Sequence, residues 1–186
     1  IGADHRGGIT AGEGAEGGVF RREFQINVSG DAGGVHGTED RASACGGSYA
    51  TDIQGNVDIV VNSGTFNHQI MGGIFANANT TIGGNTHVYI NGGSVTGNVM
   101  GGGLTGSISG GANVTVTGGV ISGSVYGAGQ GGSILAGSSV CLTGGLVKGD
   151  VYAGGKAGSI QGDTSVTITG NTATLYNGSS WGSLSG

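Results

Sequence analysis

Between Val88 and Ser165 one order of apolar and polar positions is written three times, as VYINGGSVTGNVMGGGLTGSISGGAN, VTVTGGVISGSVYGAGQGGSILAGSS and VCLTGGLVKGDVYAGGKAGSIQGDTS. Val88, Val114, Val140 and Val166 follow one another at intervals of 26 residues. A fixed period of this size marks a solenoid or an array of stacked units. Within each unit an apolar residue alternates with a polar one (Val114-Thr115-Val116), the period-two signal of a strand with one buried side.

The columns extend beyond the regular units. A late isoleucine recurs at Ile53, Ile82, Ile108, Ile134 and Ile160, with Leu184 in the same role at the end. Six residues after each isoleucine comes the next opening residue: Ile59, Val88, Val114, Val140 and Val166. Ile26 and Val28 supply this strand for a first unit, and a middle column reads Ala44, Ile70, Val99, Val125, Val151, Leu175. Six units follow, each read as three short strands separated by glycine corners, because glycine accepts positive φ and lets backbones approach closely. The expected fold is all-β: a three-sided parallel β-solenoid (β-helix) of about six coils, with roughly 26 residues per coil. Coils spaced about 4.8 Å apart would give a rod roughly 29 Å long. Residues 1–25 are expected as an N-terminal flexible arm with a first strand or cap, and 26–186 as the solenoid, regular over 88–165. The arm is read either as a cap on its own first coil or as a link to a neighbouring subunit.

Composition supports a repetitive β architecture. Glycine makes up 47 of 186 residues, proline is absent, and charged residues are 9%, against roughly 25% in ordinary soluble domains. There is no three-residue period of the collagen kind, and the strict apolar pattern argues against disorder. The formal charge of −5 lies wholly in residues 1–58, where nine acidic residues stand against four arginines; Asp150 and Asp163 balance Lys148 and Lys156 in the remainder. Without a basic patch, nucleic acid is not an expected partner. No apolar run approaches the roughly 20 residues of a membrane span.

Reactive side chains do not form a recognisable constellation. His87 shares a column with Asn113 and Ser139, Asp150 with Ser124 and Asn98, and Asp163 with Gly137 and Gly111, so no column repeats a ligand type. Catalytic, metal and cofactor sites are therefore not expected, since each needs several such groups converging. Cys45 aligns with Met71, Met100, Tyr126, Tyr152 and Tyr176, whereas Cys141 points outward between Val140 and Leu142. About four layers apart, roughly 19 Å, they are too distant for an intrachain disulfide, which needs Cα atoms within about 7 Å. Any disulfide through Cys45 or Cys141 would link subunits. The outward Thr115, Thr117, Thr143, Thr167 and Thr169 resemble the threonine ladder of an ice-binding surface, interrupted by Cys141.

The string VTVTGGVISGSVYGAGQGGSI resembles the glycine-rich repeats of adhesin-like prokaryotic cell-surface proteins, over about residues 53–170. That resemblance implies a parallel β-helix in a secreted or cell-surface setting, with a role in adhesion or surface structure. The last unit reads as breaking off two residues after its third strand, without a cap, and an uncapped coil offers unpaired backbone groups. The expectation is that another subunit covers that edge or that the chain belongs to a longer solenoid. The leading expectation is a structural subunit of an extracellular filament or surface fibre, a head-to-tail homopolymer joined through stacked ends. Phe24, Ile26 and Val28 would contribute from the first coil, and Ile168, Leu175, Trp181 and Leu184 from the last. The alternative is an adhesin-like module binding glycan or a host surface, with ice binding and polysaccharide cleavage as minor alternatives.

Overall fold

The computed structural model describes residues 9–11, 24–28, 44–47, 52–75, 78–169, 174–175 and 184–185. It is an all-β parallel solenoid of about five turns, with strands of a sixth layer added at one end. Four sheets run along the stack. The first holds the long strands, Phe24–Val28, Val57–Val61, Thr86–Ile90, Ala112–Val116, Ser138–Leu142 and Thr164–Ile168. The second begins at Thr65–Phe66, the third at Ala44–Cys45 and the fourth at Thr81–Ile82, with two residues per strand in each. Ile53 joins the fourth sheet by an isolated bridge to Ile82.

The alternation of the sequence becomes an alternation of burial. In each long strand from Val57 to Leu142, the first, third and fifth residues are buried and the two between are partly exposed. Val88, Val114, Val140 and Val166 stand in one row, as the 26-residue interval requires. The spacing of Val147, Val151 and Tyr152 predicts a single second strand, but that strand is divided: Leu146–Val147 belongs to the second sheet and Val151–Tyr152 to the third, with a corner at Lys148–Gly149–Asp150. Corners after the long strands use the second glycine of each pair, with φ of +84° at Gly93, +82° at Gly119 and +80° at Gly145.

The interior has two apolar lobes. One contains Ile59, Val61, Phe66, Ile70 and their equivalents in each coil. The other contains Ile53, Val57, Ile74, Ile82, Ile108, Ala112, Ala128 and Ile134. Buried hydroxyls cross between opposite walls: Thr86 Oγ1 donates to the Gly101 carbonyl at 2.7 Å, and Ser138 Oγ to the Ala153 carbonyl at 2.6 Å. The walls are close here, and a Cβ on Gly101 would come within 2.9 Å of the Asn113 nitrogen. This close approach explains a glycine that positive φ does not.

The register of the last layer corrects the sequence expectation. Leu175 pairs with Val147, not Val151, and Leu184 pairs with Val151, not Ile160. Leu175 lies seven residues beyond Ile168, whereas Val147 and Val151 lie five and nine beyond Leu142. An excess of two residues can bulge from a loop at little entropic cost, while a deficit of two would stretch a corner that is already tight. Within the segment expected as a flexible arm, Ile9–Ala11 forms a strand antiparallel to Phe24–Val28.

Candidate functional site

The two ends of the first sheet differ. At one end, Phe24–Val28 is paired on both edges, with Val57–Val61 on one side and Ile9–Ala11 on the other. At the opposite end, Thr164–Ile168 is paired with Ser138–Leu142 and has no second partner among the described residues. Ile168 follows Ile90, Val116 and Leu142 along one inward row. Those three are 0–1% exposed, but Ile168 is 40% exposed. Val166, two residues earlier, is partly buried against the main apolar lobe. Among the described residues, this end therefore presents both unpaired backbone groups and apolar surface, the two features that favour strand addition.

The expected interface residues separate accordingly. Phe24, Ile26 and Val28 lie in the strand already covered by Ile9–Ala11. Ile168, Leu175 and Leu184 lie in the last layer, in the first, second and third sheets respectively. Trp181 lies outside the described residues. Within one copy the two groups sit at opposite ends of the stack and do not meet.

The cysteines are in different sheets and both are free. Cys45 Sγ lies 3.1 Å from the Gly73 carbonyl oxygen, and burial pushes its thiol pKa up to about 11. Cys141 stands between Thr115 and Thr167 on the outward side of the first sheet. Tyr126 and Tyr152 stack with ring centroids 4.8 Å apart and planes 6° from parallel. The Tyr152 hydroxyl donates to Asp150 at 3.2 Å, which raises its pKa. In the next layer the partner of Tyr152 is Ser185 rather than Tyr176, a consequence of the corrected register.

An open notch of about 340 Å³ runs beside the start of the long strands. Asn85 and Asp163 project at its ends, while Gly111 and Gly137 leave the two layers between them without side chains. His87, Asn113, Ser139 and Ser165 form one wall. The Ser139 hydroxyl donates to Asn113 Oδ1 at 2.7 Å, Asn85 Oδ1 accepts from the Gly111 nitrogen at 2.8 Å, and His87 Nδ1 lies 3.1 Å from Asp58 Oδ1. The notch offers amides, hydroxyls, an imidazole and one carboxylate, a set suited to hydrogen-bonding a polyhydroxyl surface. The columns that form it are visible in the sequence, but not that the glycines at 111 and 137 open a space between them.

Among the described residues, no group of three or more His, Cys, Asp or Glu side chains is placed to hold a metal ion. No helix among them is long and apolar enough to cross a membrane. Comparison with protein-family models, curated proteins and solved structures finds no match to this chain.

Proposed function

We propose that the chain is a structural subunit that stacks end to end with further copies to build an extracellular filament or surface fibre. The observation that carries this reading is the exposure of Ile168, at 40%, in a row whose preceding members Ile90, Val116 and Leu142 are almost wholly buried. A further layer would remove that side chain from water and pair the edge of Thr164–Ile168 that has no partner among the described residues. Residues 59–186 carry no net formal charge, so little repulsion opposes the approach of another stack. Negative-stain microscopy and sedimentation of the purified chain test the reading. Rods or filaments are expected for the parent, and dispersed particles with an unchanged circular dichroism spectrum for Ile168→Asp. Monomers alone at high concentration would rule it out.

The polar notch supports a second reading, a surface module that binds glycan. Saturable binding to a glycan array by dispersed chain, lost in Asn113→Ala, would favour it.

A further inference from the structure

The strand Ile9–Ala11 uses one of its edges to pair with Phe24–Val28, placing Ile9 opposite Val28, Thr10 opposite Asn27 and Ala11 opposite Ile26. Every β-strand has two edges. Among the described residues the second edge of Ile9–Ala11 has no partner, and neither has the outer edge of Thr164–Ile168.

The rows of the first sheet relate these two edges. Val28 shares its row with Val61, Ile90, Val116, Leu142 and Ile168. By the same steps Asn27 shares a row with Thr167, and Ile26 with Val166. Ile9, Thr10 and Ala11 thus hold the rows of Ile168, Thr167 and Val166. The apolar residue Ile9 occupies the row in which the far end leaves Ile168 exposed.

We propose that Ile9–Ala11 is the joint between copies. Its first edge stays paired with its own first coil, and its second edge pairs antiparallel with Thr164–Ile168 of a second copy of this chain. One strand reversed between two that run in the same direction keeps both stacks pointing the same way. It therefore gives head-to-tail growth, with an unbroken sheet through each junction. Direct stacking of Thr164–Ile168 on Phe24–Val28 would first have to displace Ile9–Ala11 and forfeit its pairing. Residues 164–169, TSVTIT, carry no charge that would repel the acidic N-terminal region. The proposal rests on the end-to-end reading above and specifies its contact.

Paired cysteines test it. In a background of Cys45→Ala and Cys141→Ser, the full chain would carry Thr10→Cys and Thr167→Cys. Within one copy these positions are six strand steps apart, roughly 29 Å, beyond the reach of a disulfide. Across the proposed joint they face each other. Mild oxidation should give a ladder of covalent multimers on a non-reducing gel with the double variant and none with either single variant. Removal of residues 1–12 should reduce filament mass at least tenfold while leaving the circular dichroism spectrum of the coils in place. Filaments without a ladder, unaffected by that removal, would overturn the joint and leave end-to-end stacking intact. Dimers from Thr167→Cys alone would show tail-to-tail pairing and also overturn it. Absence of any assembly by the parent chain would overturn both readings.

Discussion

The Thr86 hydroxyl reaches across the interior of a single coil to the Gly101 carbonyl oxygen, 2.7 Å away. Ser138 makes the corresponding bond to Ala153 two coils further on. Both hydroxyls are buried, so neither they nor their acceptors can turn to water without opening the coil. Replacing Thr86 with Val keeps the shape and removes the donor. Thr86→Val is expected to cost about 1–3 kcal/mol, since a buried carbonyl loses its partner, while Thr86→Ser should cost less. Urea unfolding measures both. Equal stability of Thr86→Val and the parent would show that the crossing bond contributes nothing.

Two glycines separate close approach from mere abundance. An added Cβ at Gly101 would run into the Gly127 carbonyl oxygen, whereas at Gly154 it would meet only Ile160 Cδ1, at 3.6 Å. Gly101→Ala is expected to destabilise by about 1–3 kcal/mol through overpacking. Gly154→Ala is expected to be neutral or to stabilise by about 0.4–1 kcal/mol, because it restricts the unfolded chain. Thermal melts of the pair give the comparison. Similar shifts in both would refute the account of Gly101.

The cysteines should respond differently to thiol reagents. Burial holds the Cys45 thiol up to about 11, while Cys141 stands on the outward side of the first sheet. At pH 8, a colorimetric disulfide reagent should label Cys141 quickly and Cys45 slowly, giving two phases of one thiol each. The raised value also sets a sign. The folded state holds the Cys45 proton more tightly than the unfolded chain does, where the thiol has its ordinary value of 9.0. Its contribution is therefore complete below about pH 9 and is lost as pH rises toward about 11. Cys45→Ala should flatten stability across that window relative to the parent. An unchanged slope would exclude Cys45 as its source.

The rows from Val88 to Val166 were legible in the sequence because β-branched residues recur at one interval and glycines mark the corners. Parity with Val88 and Ile90 also places Thr86 inward, which is enough to flag a buried hydroxyl, although not its acceptor. The division between Val147 and Val151 was hidden because one more glycine corner looks ordinary in so glycine-rich a chain. Leu175 and Leu184 were misplaced because counting columns treats a long loop and a short one as equally good. Ile9–Ala11 offers only one alternation among glycines, too little to announce a strand. The notch was hidden for a different reason: its defining residues, Gly111 and Gly137, act by having no side chain.

The backbone bonds that join one coil to the next run along the stacking direction, as from the Ile53 nitrogen to the Thr81 carbonyl and from the Val57 nitrogen to the Asn85 carbonyl. Tension applied through the ends of the stack therefore pulls along these bonds and passes through every layer in series. A regular coil that detached would free 26 residues, roughly 90 Å of extended chain. Under strain, such a rod lengthens in steps and dissipates work before it breaks.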